Sequence, residues 1–119
     1  MSELLTVLII EDDELMQKMF AAQLRGKLNL IMASTQDEAR ELFESHRQQI
    51  WAIVLNASIP GQEINTIELA QWLRSQFKGL MIGTSAVPVF QCQLVDAGCD
   101  YGCNHSELAK LLLAELRIE

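Results

Sequence analysis

Three consecutive acids, Glu11-Asp12-Asp13, close an apolar run over residues 4–10. A second apolar run, Trp51-Ala52-Ile53-Val54-Leu55, ends in the amide of Asn56 before Ala57-Ser58-Ile59-Pro60-Gly61. Acids and an amide delivered to one edge of a sheet would line a small pocket with oxygens, the surroundings that suit a hard divalent cation. Asn56 restricts the chemistry of such a pocket, because an amide can coordinate a metal but is a poor nucleophile. The residues can act together only if the two runs are strands whose carboxyl ends share an edge, the place where ligands sit in an open α/β sheet.

The elements that must position them can be read in order. The run over 4–10 is nearly continuous, as suits a strand covered on both faces, and the run over 51–55 stops at a polar residue and a Pro-Gly turn. Asp12 or Asp13 can cap the next helix, in which Leu15, Met16, Met19, Phe20 and Leu24 recur at helical spacing before Gly26. A second strand is expected over 29–33. Ser34 or Thr35 then opens a helix to about His46, with Ala39, Leu42 and Phe43 on one face. After the loop at 62–65 comes a third helix with Ile67, Ala70, Leu73 and Phe77 inward, ended by Lys78-Gly79. Residues 80–84 form the fourth strand, Pro88 starts a fourth helix closed by Gly98, residues 100–103 form the fifth strand, and residues 106–117 form the last helix, with Leu108, Leu111, Leu112 and Leu116 in its stripe. Five strand-then-helix units without a linker predict one α/β domain over residues 1–119, a parallel sheet with helices on both faces.

A chain of 119 residues, 50% hydrophobic and 21% charged, can bury a proper core without staples. Its net charge of -7 argues against nucleic acid or an anionic membrane as a direct partner. With no apolar stretch near the ~20 residues of a membrane span and no basic, apolar leader after Met1-Ser2-Glu3, the expected location is cytoplasmic. Cys92, Cys99 and Cys103 are expected as small core residues, and Cys99, Cys103 and His105 match no standard zinc spacing. Trp51 and Trp72 are expected in the core or in helix packing. On residue type alone, Asn56 is a polar strand end, Thr84 a hydroxyl bonded within the sheet edge, and His105 a surface residue near a helix start.

Four segments, Val7-Leu8-Ile9-Ile10-Glu11-Asp12-Asp13, Leu55-Asn56-Ala57-Ser58-Ile59-Pro60-Gly61, Thr84-Ser85-Ala86 and Asp96-Ala97-Gly98-Cys99-Asp100-Tyr101, stand in an order and spacing that resemble the CheY-like receiver domain of two-component response regulators. The resemblance covers essentially the whole chain. It implies a flavodoxin-like (βα)5 three-layer sandwich with strand order 2-1-3-4-5. It further implies that Glu11 and Asp12 are the magnesium acids and that Ser58 lends a backbone carbonyl to the metal. Position 56 would be that of the aspartate phosphorylated by a histidine kinase, Thr84 would be the hydroxyl that contacts the phosphoryl group, and a lysine would follow the fifth strand.

Two of these positions depart from the family. The acceptor is Asn56. The lysine position falls on His105 without a gap, or on Asn104 if the fifth strand is one residue shorter. The aromatic switch position is correspondingly Gly102 or Tyr101, and Glu63-Ile64-Asn65-Thr66 stands where the family has a short Asp-Gly turn. Phosphoryl transfer needs an anionic nucleophile, a metal and a cationic clamp, and an imidazole is mostly uncharged above its ordinary pKa of about 6.5. The implied function is therefore a pseudo-receiver: not an enzyme and not phosphorylatable. It would be a protein-interaction module that docks a histidine kinase or an output domain through its fourth helix, fifth strand and fifth helix. Magnesium binding would be weak, with two acids instead of three, and no other cofactor is expected. The alternative is a normal phosphoaccepting regulator carrying an Asp-to-Asn substitution at position 56. A flavin carrier on the same fold fits poorly, since a phosphate loop would not carry Glu11-Asp12-Asp13.

Overall fold

A computed structural model describes residues 3–118. The elements are β1 (Thr6–Ile10), α1 (Glu14–Leu24), β2 (Asn29–Ala33), α2 (Gln36–His46), β3 (Ile50–Asn56), α3 (Ile67–Gln76), β4 (Leu80–Thr84), α4 (Pro88–Ala97), β5 (Tyr101–Cys103) and α5 (His105–Glu115). All strand pairs are parallel and the order is β2-β1-β3-β4-β5, the flavodoxin-like arrangement that the resemblance implied. Pairing of Ile10 with Leu55 and of Asn56 with Thr84 brings the carboxyl ends of β1, β3 and β4 level, so whatever follows them shares one edge.

Alternation along the strands divides the core in two. Leu8, Ile10, Ile53, Leu55 and Met81 face Ala39 and Phe43 of α2, Leu69 and Leu73 of α3, and Leu94 of α4. Val7, Ile9, Val54 and Ile82 face Phe20 and Leu24 of α1 and Leu108 and Leu112 of α5. Successive side chains of a strand point to opposite faces, so an unbroken apolar run is what a sheet covered on both sides requires. Cys99 packs in the first cluster and Cys103 in the second, so the sheet separates them. Gly102 lies where α4 crosses β5 most closely: an added Cβ would stand 2.8 Å from the Gln91 carbonyl oxygen. Among the described residues no helix is long and apolar enough to cross a membrane.

Several expectations need correction. Leu4 precedes β1 and is exposed; Leu15 sits on the outer side of the first turn of α1 while Met16 and Phe20 turn toward the sheet. Trp51 is not a core residue. The register passes from Thr6↔Ile50 to Val7↔Ala52, so Trp51 is the extra residue of a β-bulge, and its side chain is turned out to solvent. Trp72 does pack as expected, with its ring edge on Phe43 and under the Arg40 guanidinium.

Cys92 is exposed on α4, whereas Cys99 and Cys103 are buried. Burial pushes the Cys99 thiol up to about 12, with Asp100 adding to the shift and Arg74 opposing it. Burial, and then Glu107, pushes the Cys103 thiol up to about 11. Since the thiolate is the reactive form, iodoacetamide at pH 8 should modify one thiol per native chain, at Cys92, with the other two reacting only in denaturant. Peptide mapping that finds Cys99 or Cys103 modified at a comparable rate in the native protein would refute this.

Candidate functional site at the carboxyl edge of the sheet

Glu11 is the centre of the edge. It is 1% exposed, and its backbone is fixed by donation from Glu11 N to the Ala33 carbonyl at 2.9 Å, which extends the β1–β2 ladder. Its carboxylate is shared among three groups. Oε2 accepts from Asn56 Nδ2 at 3.0 Å and from Asp13 N at 3.1 Å, and Oε1 lies 3.1 Å from His105 Nε2. A buried carboxylate tolerates removal from water when its oxygens are bonded in this way.

His105 is held by the start of α5. Asn104 caps that helix, accepting from Glu107 N at 3.0 Å, while the Glu107 carboxylate accepts from Asn104 N. The imidazole of His105 stacks on Phe20 with ring centroids 6.1 Å apart, and its side chain is only 16% exposed. The expected surface histidine is thus a half-buried one. Of the two residues that could occupy the lysine position, Asn104 is committed to the helix cap and His105 reaches Glu11. Its proximity was invisible in sequence because the partners are 94 residues apart.

Asp13 caps α1, its Oδ1 accepting from Leu15 N at 2.8 Å and Met16 N at 3.2 Å. That leaves Asp12 as the acid beside Glu11. Its carboxyl is raised above its ordinary value, first by partial burial and then by the charges of Glu11 and Asp13. Ser58 is half-buried just past β3, its N–H 3.4 Å from Asn56 Oδ1. These donors do not make a preformed cage for a hard dication. Asn56 turns its NH2 toward Glu11, and both Glu11 oxygens already accept bonds. Among the described residues no three His, Cys, Asp or Glu side chains are grouped to hold a metal ion.

Thr84 breaks the expectation that its hydroxyl bonds within the sheet edge. Its carbonyl accepts from Ala57 N at 2.9 Å, but its Oγ1 is buried with no hydrogen-bond partner among the described residues. An orphaned buried hydroxyl carries a desolvation cost of about 1–3 kcal/mol. Tyr101 and Gly102 also separate clearly. Gly102 backs onto α4, and Tyr101 is exposed, its hydroxyl donating to Glu115 Oε1 at 2.8 Å and so tying β5 to α5.

The chain as a whole resembles solved structures in its fold. One is described as a "probable two-component system response regulator/GGDEF domain protein", at 24% identity and TM-score 0.80, covering 95% of this chain and 49% of that one. A second is the BeF3-activated N-terminal receiver domain of RstA from Klebsiella pneumoniae, at 21% identity and TM-score 0.76, covering 94% and 95%. A third is the CheX-CheY-BeF3-Mg2+ complex from Borrelia burgdorferi, at 16% identity and TM-score 0.77, covering 93% and 88%. The fold is that of a receiver domain. The chain spans about half the length of the first of these proteins. No protein-family model matches the sequence, and no curated protein matches it.

Two further residues of this receiver fold support the edge. Thr66 is fully buried, and its Oγ1 lies 2.9 Å from the Asn56 carbonyl and 3.0 Å from that of Ala57. Asn65 pins the loop after β3: its Oδ1 accepts from Ile59 N at 2.8 Å and its Nδ2 donates to the Pro60 carbonyl at 2.9 Å. Gln36 of α2 donates to the Ile59 carbonyl at 2.8 Å. In sequence, Asn65-Thr66 stood out only as a departure from the family's turn. The usable signal was the pair of short polar side chains after Pro-Gly, which commonly bond nearby backbone.

Proposed function

We propose that the chain is a receiver-type signalling module that does not take up a phosphoryl group and works by docking a protein partner. One observation carries this reading: at the edge where chemistry would occur, the Asn56 amide, the His105 imidazole and the Asp13 N–H all converge on the Glu11 carboxylate. An acceptor must offer an anionic oxygen in line with phosphorus, and a cation must hold the transferred oxygens. The Asn56 amide supplies no such nucleophile, and His105 is already engaged with Glu11. Magnesium binds weakly on this reading, because it must displace N–H donors from Glu11 before Glu11, Asp12, Asn56 and the Ser58 carbonyl can serve as ligands.

The partner is a protein, a histidine kinase or an output domain, and the docking face comprises α4, β5 and α5. Exposed Val87, Val89, Val95 and Tyr101 on this side support it, since apolar surface at a rim of polar residues is characteristic of interaction sites. The Borrelia complex, in which CheY is bound to CheX, supports a protein as the class of partner.

Incubation with acetyl phosphate and magnesium, followed by intact-mass measurement, is expected to give the mass of the unmodified chain alone. A stable phosphoryl adduct mapped to the segment around Asn56 would overturn the proposal.

A further inference from the structure

β2 borders the sheet, paired with β1 on one side and with no strand of the described residues on the other. In a parallel ladder, alternate residues of a strand turn both backbone groups to the same neighbour. Asn29 N donates to the Leu5 carbonyl at 2.9 Å, and the Ala33 carbonyl accepts from Glu11 N at 2.9 Å. Asn29, Ile31 and Ala33 therefore face β1, while the N–H and C=O groups of Leu30 and Met32 face outward. None of these outward groups has a hydrogen-bond partner among the described residues.

Open strand edges are normally blunted by charge, proline, a bulge or shortness. The opposite border, β5, is blunted in this way, with three residues and α4 close against Gly102. β2 has none of these devices. Its five residues carry no charge and no proline, and its register on β1 runs from Thr6↔Asn29 to Ile10↔Ala33 without a break. Leu30, Ile31 and Met32 are only half-buried. Charge is also ordered along this edge. Arg25 and Lys27 come just before the strand, and Asp37 and Glu38 come just after it, in the first turn of α2. All four are exposed, and none makes an ion pair among the described residues.

We infer that β2 pairs with β2 of a second copy of this chain, antiparallel across a two-fold axis at Ile31. That register sets Leu30 of each copy opposite Met32 of the other, and each such pair exchanges both of its outward bonds. It also brings the basic entry of one strand toward the acidic exit of the other, whereas a parallel pairing would set like charges together. A foreign strand could match the backbone groups, but the order of charges matches the chain's own. The contact is isologous, so association closes at two copies and joins the two five-stranded sheets into one. β5 lies at the far border, so both copies keep the face of α4, β5 and α5 open. The contact is independent of whether position 56 can be phosphorylated.

Sedimentation velocity between about 10 µM and 1 mM tests this, read together with hydrogen exchange over the same range. The average mass should rise to that of a dimer and stop there, while exchange at the Leu30 and Met32 amides slows. Met32→Pro removes an outward N–H and leaves the β1 ladder intact, so it should weaken association at least about tenfold. Lys27→Glu, at an exposed position, should weaken it about tenfold at low salt, and adding Asp37→Lys should restore it. The charge variants keep the test open should Met32→Pro fail to fold. A wild-type chain that stays monomeric throughout overturns the proposal. So does a dimer in which the Leu30 and Met32 amides exchange as fast as in the monomer, since its contact lies elsewhere. Lys27→Glu associating as tightly as wild type at low salt would overturn the antiparallel pairing.

Discussion

Asn56→Asp is expected to lower the stability of the folded chain by about 1–3 kcal/mol at pH 7, and the loss should deepen as pH rises. The amide now donates to Glu11 Oε2 at 3.0 Å, and Glu11 is buried. A carboxylate in its place would set like charges against each other where water cannot screen them. The new carboxyl at position 56 would hold its proton above the ordinary value, so the native state would bind protons more tightly than the unfolded chain. The sign follows: stability is retained at low pH and lost as pH climbs through the raised native pKa. Magnesium should reverse the loss, because two facing carboxylates form a better site for a hard cation than a carboxylate and an amide. Urea denaturation at pH 5 and pH 8, with and without magnesium, would measure each part. A variant as stable as wild type at pH 8 in chelator would mean that Asn56 is not the neutral partner of Glu11.

The same variant separates the two readings of position 56. If the asparagine were a lone substitution in a working regulator, Asn56→Asp would accept phosphate from acetyl phosphate and magnesium. On the proposal above it stays unmodified even when magnesium has restored its stability, because the two positions directly after β5 hold Asn104 and His105 and not a lysine.

Phe43→Ala should be the most damaging single truncation, costing about 3–5 kcal/mol and lowering Tm by roughly 4 °C for each kcal/mol at this chain length. Phe43 is wholly buried and belongs to the larger core cluster. Its ring meets Trp72 at 5.7 Å and Phe77 at 6.1 Å, both edge-on, and carries the Arg47 guanidinium at 5.0 Å. Removing it opens a cavity beneath α2 that rigid strands cannot fill, and it also removes the packing that holds α2 against α3. Gln36 links the start of α2 to the loop after β3, so the loss should loosen the carboxyl edge as well. Thermal denaturation checks the first point. Faster hydrogen exchange at residues 57–65 in the variant checks the second. A fall of Tm by only a few degrees would show that the site collapses around the gap.

What the sequence determined by itself was the sequence-local part of this protein. Strand and helix alternation, the cap at Asp13 or Asp12, Pro88 at the head of α4 and Gly98 at its end depend on neighbours a few residues apart, and the structure has them within a residue or two. Burial faces followed from periodicity over most of the chain, but failed at Leu15, which the first turn of α1 leaves exposed, and at Trp51, where one inserted residue shifts the register and turns the side chain out. Residue type also left the neighbours of Glu11 unspecified. Only the folded sheet brings His105 and Asn56 onto one carboxylate and leaves the Thr84 hydroxyl without a partner among the described residues, because hydrogen bonds over sequence separations of 45 and 94 residues are decided by strand order and helix placement. A linear pattern carries the chemistry of each group, whereas distance between groups exists only once the chain has closed on itself.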